Sequence, residues 1–498
     1  MSRTRIHPTD LLAIALCAAL AGFLWLVMGG WRYDDPYITY RYAENIRAGI
    51  GFVYNPGQRI LSTTTPLFAL VLAGLQNPWL DAPTLAALIG CISLALGGLA
   101  FWAMGRAWKA QIAGWAGLVL YPLFPLAFVT LGSETPLYLA LCLWAFALAA
   151  HKRYALAGLC AGLAFVARGD GALAGLVIGA WLVAASLAGN QSKITPLIRF
   201  GLGWLIPVAP WLIFATLYFG SPLPVTMAVK QAQGRMAIST PFAQGFATVQ
   251  GWYLGGWQYR LEAALAGIGA LSAILFLRKN KMAGFWLLAL WSAIYFASYA
   301  ALGVSSYFWY YAPLAPGFVA ALGMCLQQVV AWSTHIRFGE SQRLSALVSR
   351  LAAMACLVLI GLLGFMQAQS AIGTARLAAD KRVGIYRAVG EWLNANTPPG
   401  ESVGALEVGI IGYYSHRPMI DFAGLIQPEV AQVFGREATY DDAAIAAFRK
   451  FHPAYIAQIE NALPALQAET ARQNCAVAAR FSGANYGYAQ NMIILKCN

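Results

Sequence analysis

Long apolar runs constrain this chain more than any other feature of its sequence. The first, at residues 11–30, reads LLAIALCAALAGFLWLVMGG and contains no charged side chain. A helix of that length crosses the hydrocarbon core of a bilayer. Charged residues make up only 11% of the 498 residues, whereas a soluble domain has about 25%. Because lipid offers the backbone no hydrogen-bond partner, we predict a polytopic α-helical membrane protein.

The apolar runs predict about eleven transmembrane helices. They lie near residues 11–30, 84–105, 110–130, 136–150, 154–167, 171–188, 200–219, 261–277, 282–302, 311–332 and 351–369. Arg3 and Arg5 precede the first run, and basic residues are concentrated in the loops that would then be cytoplasmic. The amino terminus is therefore predicted inside and the carboxyl terminus outside. Because the net charge of +13 lies largely in those loops, we predict no nucleic-acid partner.

Three segments interrupt the pattern of span and short loop. Residues 1–369 are predicted to form a transmembrane domain with outer loops at 31–83 and 220–260, and residues 370–498 a soluble extracytoplasmic α/β domain. Its pattern predicts a helix near 381–395 and strands near 402–407, 418–421, 454–458, 476–481 and 491–496. Cys475 and Cys497 lie beside the last two strands, where an oxidising compartment would permit a disulfide.

An acidic pair, Asp34 and Asp35, follows the first apolar run directly. Asp35 before Pro36 is a favourable helix start, and Gly49 is a suitable stop. Capping therefore explains Asp35 but leaves Asp34 without a helical role. Since ionisable groups at membrane level usually mark a functional site, we predict a catalytic role for this pair.

Other polar residues of the predicted outer face are further candidates. One candidate is Glu134 in GSETPLY; the alternative is that this segment only caps a helix, with Ser133 preceding Pro136. In ARGDG, Arg168 and Asp170 have the alternative of pairing with each other, although an arginine fork also matches phosphate oxygens. Further candidates for phosphate or sugar contacts are Arg41, Lys230, Tyr310 and His416. No cluster of metal ligands stands out, so neither a cofactor nor a divalent metal is predicted.

These motifs, in this order, resemble the GT-C polytopic glycosyltransferases. The similar stretches are DDPYITYRYAENIRAGIGFVYNPGQRI, TTTPLF, GSETPLY and ARGDG within the first two hundred residues, and GYYSHRPMIDFAGL in the tail. The resemblance is greatest to bacterial polyprenyl-phosphate-arabinofuranose arabinosyltransferases and polyprenyl-phosphate mannosyltransferases. It implies a bacterial inner-membrane enzyme with a polyprenyl-phosphate-linked sugar as donor. It also implies that the first acidic residue of the pair, Asp34, is the catalytic base, and that Arg168, with Lys230, binds the donor phosphate.

A single base without a second, nucleophilic carboxylate predicts inversion at the anomeric carbon. The acceptor stays open and is a cell-envelope glycan, a lipid or a protein. The alternatives are a protein O-mannosyltransferase, an aminosugar transferase acting on a lipid, a lipid-linked glycan flippase, and a sensor or assembly protein whose outer domain binds glycan. A transporter would show paired broken helices and charges near the midplane, and the sequence shows neither.

Overall fold

A computed structural model describes residues 7–188, 194–276, 284–336, 342–377 and 380–497 of the chain. Arg3 and Arg5, on which the predicted orientation depends, lie outside the described residues. The first sixteen helices are α1 Pro8–Met28, α2 Pro36–Arg47, α3 Pro66–Leu75, α4 Ala82–Ala107, α5 Gln111–Leu120, α6 Pro125–Phe128, α7 Thr135–Ala150, α8 Tyr154–Ala167, α9 Ala172–Ala188, α10 Thr195–Phe219, α11 Val225–Gly234, α12 Phe242–Tyr253, α13 Trp257–Phe276, α14 Trp286–Leu302, α15 Ala315–Ser333 and α16 Gln342–Ala375.

The apolar helices confirm a polytopic membrane fold. Each of the eleven predicted runs overlaps one of these helices. Within the described ranges, six helical segments are long and apolar enough to cross a membrane, so the number of spans stays a prediction. The run at 110–130 is not one helix, because α5 ends at Leu120 and a turn precedes α6, which begins at Pro125. Helix α16 continues past residue 369 to Ala375, and the predicted domain boundary there stays a prediction.

Small residues bring the helices of the bundle close together. A Cβ atom added at Gly105 of α4 would lie 2.8 Å from the Cα of Gly114 in α5. A Cβ at Gly158 of α8 would lie 2.0 Å from the backbone oxygen of Phe200 in α10. Apolar helices in lipid gain little from hydrophobic burial against one another, so close backbone contact of this kind stabilises their packing.

The remaining elements form a small α/β unit, here called the sheet domain. Its helices are α17 Val383–Asn396, α18 Ile410–Ser415, α19 Tyr440–Phe451 and α20 Pro464–Arg472, and its strands are β1 Val403–Ala405, β2 Met419–Asp421, β3 Tyr455–Ile459, β4 Ala476–Phe481 and β5 Met492–Lys496. The sheet order is β2-β1-β3-β5-β4, parallel among the first three strands and antiparallel among the last three. All five strands lie where the sequence pattern predicted them.

A continuous apolar core joins the sheet domain to the segment after α1. Buried residues of α2, the following loop and α3 share one cluster with residues of α17, α18 and the sheet. Tyr37 of α2, for example, packs edge-on against Tyr413, with ring centroids 5.4 Å apart. This shared core fixes the sheet domain over the start of α2.

Cys475 and Cys497 form a disulfide that links the segment before β4 to the end of β5, across 22 residues. Loss of a cross-link over a loop of this length removes a constraint on the unfolded chain, worth about 3 kcal/mol. We therefore expect Cys475→Ser to lower the free energy of unfolding of the sheet domain by about that amount. Denaturation of the purified chain measures the effect, and added reductant should change nothing further in the variant. Peptide mapping without reductant that finds two free thiols in the wild type would contradict the disulfide.

Candidate active site

A cavity of about 570 Å³ lies between the bundle and the sheet domain. Four segments supply its walls: the turn before α2, helix α11, the 3₁₀ segment Phe308–Leu314, and the sheet domain with the residues that precede it. Its polar and charged lining residues are Asp34, Asp35, Lys230, Gln233, Asp380, Lys381, Arg382 and Glu407. Both members of the predicted catalytic pair therefore face one cavity.

Asp34 is buried at the cavity wall and is held by the sheet domain. It is 6% exposed, and its Oδ1 and Oδ2 accept backbone N–H groups from Ile410 at 2.8 Å and Gly409 at 3.1 Å. Burial, and next the charge of Glu407, raises the pKa of Asp34 well above its usual range, although the Ile410 N–H opposes the shift. The sequence left Asp34 without a structural partner, because its partners lie about 375 residues further along the chain.

Asp35 lies at the N-cap of α2 as the sequence predicted, but its side chain does not cap the helix. It occupies the N-cap position with helical backbone angles, and its side chain accepts no capping hydrogen bond from the helix. Pro36 and Gly49 do begin and end the helix as predicted, with Gly49 at a φ of 72°. Both aspartates line the cavity, and the backbone N–H partners belong to Asp34 and not to Asp35.

Lys230 of α11 supplies a half-buried positive charge to the cavity. Its Nζ lies 4.0 Å from the ring centroid of Tyr307. Burial opposes the charge, but the nearby Asp35 carboxylate and a hydrogen bond with the Tyr307 hydroxyl favour it, and the pKa of Lys230 is raised. The lysine is therefore charged at neutral pH.

The sheet domain adds a charge network to the opposite wall. Arg382 donates from Nη1 to Glu407 Oε1 at 2.6 Å and from Nε to Asp380 Oδ1 at 2.9 Å. Because these carboxylates occupy Arg382, Lys230 and the exposed Lys381 are the lining cations with charge available to a ligand. Asp380, Lys381 and Arg382 were not predicted as site residues, and their only signal in the sequence is a charged tripeptide at the boundary of the tail.

Aromatic rings and an amide complete the lining. The ring of Tyr33 stacks on Trp309 with centroids 5.7 Å apart and meets Phe308 edge-on at 5.1 Å. Gln233 donates to the backbone oxygen of Ala423 at 3.0 Å. Its buried Oε1 has no hydrogen-bond partner among the described residues, although a buried polar atom usually has one. Such a wall suits the apolar faces and hydroxyl groups of a sugar.

Arg168 is not a lining residue of this cavity in the described part of the chain. Its Nη2 donates to Asp170 Oδ2 at 2.8 Å and to the Tyr299 hydroxyl at 3.2 Å, and its Nη1 donates to Glu134 Oε1 at 3.2 Å and to the Thr135 hydroxyl at 3.1 Å. The alternative that Arg168 and Asp170 pair with each other is therefore what the structure shows. Two carboxylates, with side chains only 14% and 10% exposed, neutralise the guanidinium, and this does not support phosphate binding by Arg168, Glu134 or Asp170.

The three other candidates also lie outside the cavity lining described. Arg41 is buried and donates to backbone oxygens of the sheet domain, so it fastens the domain to α2. Tyr310 packs over Arg168, with its ring centroid 6.0 Å from the guanidinium carbon.

His416 lies in a second cavity, of about 540 Å³, near the other end of α2. Its Nδ1 is 3.8 Å from Glu44 Oε2. Burial raises the pKa of Glu44 to about 7 and lowers that of His416 below its usual value. The geometry therefore separates His416 from the acidic pair.

No group of three or more His, Cys, Asp or Glu side chains in the described residues is arranged to hold a metal ion. That no divalent ion is needed stays a prediction of the sequence, and activity in the presence of a chelator would test it.

Comparisons with known proteins define the class of fold. The crystal structure of ArnT from Cupriavidus metallidurans bound to undecaprenyl phosphate has a TM-score of 0.61 and 14% identity, and the similarity covers 98% of both chains. The apo state of that protein gives 0.60 and 13%. The Archaeoglobus fulgidus oligosaccharyltransferase in its apo form gives 0.58 and 14%, over 90% of this chain and 69% of that one. The chain therefore has the GT-C fold, as the motif resemblance predicted.

The sheet domain has its own counterpart among family models. Residues 375–493 match a model described as a domain of unknown function, DUF8728. No curated protein sequence matches the chain. The matched region contains Arg382, Glu407, Gly409 and Ile410, all of which lie at the cavity or contact Asp34.

The buried network around Arg168 predicts a structural effect of mutation. Arg168→Gln leaves the largely buried carboxylates of Glu134 and Asp170 without their cation, which costs up to about 3–5 kcal/mol. We expect a clearly lower unfolding temperature and yield of the purified protein. Arg235→Gln, which removes the same charge from an exposed position, is the matched control and should have little effect. Unchanged stability of Arg168→Gln would reopen a role for Arg168 in ligand binding.

Proposed function

We propose that the chain is an inverting glycosyltransferase that moves a sugar from a polyprenyl phosphate to an acceptor hydroxyl. The observation that carries the proposal is one cavity, at the junction of bundle and sheet domain, that contains both a buried carboxylate and a charged lysine. This pairing provides a proton acceptor and an anion partner, the two groups that such a transfer needs. The GT-C fold supports the same class of reaction.

Asp34 is the proposed general base. Two backbone N–H groups fix its carboxylate, and each oxygen keeps a second lone pair with which it can accept an acceptor proton. Its raised pKa brings its proton affinity closer to that of a useful base at neutral pH. The geometry therefore supports the role that the motif resemblance gave to the first aspartate.

Lys230 is the proposed ligand of the donor phosphate. It is charged, half-buried and next to an aromatic wall, whereas Arg168 is neutralised elsewhere. The similar ArnT structure contains undecaprenyl phosphate, which supports a donor of the same chemistry here. Asp35 keeps Lys230 charged and is assigned an electrostatic role rather than that of the base.

The reaction then balances in one step. The acceptor oxygen forms a bond to the anomeric carbon while the bond from that carbon to the phosphate oxygen breaks. Asp34 takes the acceptor proton, and the electron pair of the broken bond leaves with the polyprenyl phosphate, whose charge Lys230 stabilises. Because the attack displaces the phosphate directly, the anomeric configuration inverts.

The acceptor and the sugar are open within this proposal. An arabinofuranose-like or mannose-like sugar and a cell-envelope glycan or lipid acceptor in the bacterial inner membrane follow from the motif resemblance. A panel of lipid-linked pentoses, hexoses and aminosugars, assayed with the purified full-length chain against lipid, glycan and peptide acceptors, would choose among them. Movement of a lipid-linked sugar across vesicles without transfer would favour the flippase alternative.

Asp34→Asn tests the base. We expect kcat to fall by about 10²–10⁴-fold, because the amide cannot accept the proton, while the protein remains folded. In the wild type, kcat should fall as the pH drops through the raised pKa of Asp34, because protonation removes the base. The acidic limb should therefore lie above the ordinary range of an aspartate. Full activity of a folded Asp34→Asn protein would exclude this assignment.

Lys230→Gln tests the phosphate ligand. Removal of the cation that stabilises the leaving phosphate is expected to lower kcat/KM for the donor by about 10²-fold. Arg235→Gln, near the end of the same helix but exposed, is the matched control and should leave the donor kinetics unchanged. Equal kinetic effects of both changes would show that the cavity lysine has no specific role.

A further inference from the structure

Gly409 lies closer to Asp34 than any other residue type would allow. A Cβ atom at this position would lie 2.2 Å from the backbone oxygen of Asp34 and 2.5 Å from its Oδ2. The backbone of Gly409 has a φ of −65°, so its conformation does not require glycine. Glycine is needed here because of the close approach to Asp34.

This approach brings two backbone donors to one carboxylate. The N–H groups of Gly409 and Ile410 donate to different carboxylate oxygens of Asp34. The carboxyl group is thereby fixed in position and in rotation, and it still lines the cavity. A reacting group held in this way has little orientational freedom left to lose when the transition state forms.

Attachment of the sheet domain does not require this contact. The sheet domain is already joined to α2 by Arg41, which donates to the backbone oxygen of Arg417 at 3.0 Å. Asn55 exchanges two further hydrogen bonds with the backbone of Met419, at 2.8 and 2.9 Å. Burial of a carboxylate is costly, so the Asp34 contact adds little to an interface that Arg41, Asn55 and an apolar core already hold.

We propose that the Gly409–Ile410 turn positions the carboxylate of Asp34 for proton transfer, and that Gly409 is a positioning residue of the active site. The proposal rests on the proposed function in its reference to proton transfer. It also gives a role to the region matched by the domain of unknown function: that region completes the active site instead of only covering it. An isolated bundle would contain Asp34 without the groups that orient it.

Gly409→Ala tests the positioning, with Gly400→Ala as the matched control. A Cβ at Gly400 meets no atom within 4 Å, so the same change there should be silent. A displacement of about 1 Å at Asp34 is expected to lower kcat by about 10²-fold. We expect a donor KM within about twofold of the wild type, since Lys230 is untouched, and a shifted acidic limb of the pH profile. Unchanged kcat and pH profile in Gly409→Ala would overturn the proposal.

A second measurement needs no substrate. Ile410→Pro removes the N–H that bonds to Asp34, at the first helical position, where proline is accepted. Ile410→Ala removes the same buried side chain but keeps that N–H. Each change is combined with Asp34→Ala, and the unfolding temperatures of the full-length variants are compared. We expect the changes in unfolding temperature to be non-additive for Ile410→Pro with Asp34→Ala and nearly additive for Ile410→Ala with Asp34→Ala. Additive changes in both pairs would show that the hydrogen bond from Ile410 does not stabilise the position of Asp34.

These two measurements separate the proposals. If the wild type transfers sugar while Gly409→Ala is fully active, the positioning role fails and the proposed function stands. If the wild type transfers no sugar from any lipid-linked donor, the proposed function fails, and the unfolding temperatures still decide whether the turn holds Asp34.

Discussion

The attachment of the sheet domain to α2 is the interaction on which the rest of the structure depends. Arg41 is buried in the interface and donates to the backbone oxygen of Tyr54 on one side of it and to that of Arg417 on the other. An apolar core lies around these contacts. A guanidinium can satisfy several carbonyl groups at once, so one side chain joins elements from distant parts of the sequence. Without this attachment the main cavity would lose one wall, and Asp34 would lose both of its backbone donors.

Charge is distributed unevenly around the cavity. On one wall, Arg382 is shared between Asp380 and Glu407, so its positive charge is not available to a ligand. On the other wall, Asp35 and Lys230 line the same cavity, and the Asp35 carboxylate favours the charge of the lysine. The lysine therefore keeps its charge while remaining accessible to an anionic ligand, which suits the binding and release of a phosphate.

The bundle contains a second charge network with a different purpose. Arg168 and Asp170 come from the connection between α8 and α9, Glu134 comes from the residues just before α7, and the three side chains form two ion pairs. In sequence, an arginine beside a glycine at the end of an apolar run has the same appearance whether it binds phosphate or pairs internally. Only the position of its partners distinguishes the two roles, and here the partners are close enough to occupy the whole guanidinium.

The sequence by itself determined the membrane class, the positions of the apolar runs and of the five strands, and the acidic pair, because apolar periodicity and turn chemistry are local properties. It also carried the motif order of the GT-C fold. The tertiary structure decided which aspartate has backbone partners and which cation reaches the cavity. It also brought Asp380, Arg382 and Glu407 of the tail into the lining of the same cavity. These features depend on contacts between residues hundreds of positions apart, such as Asp34 with Ile410, which no local pattern encodes.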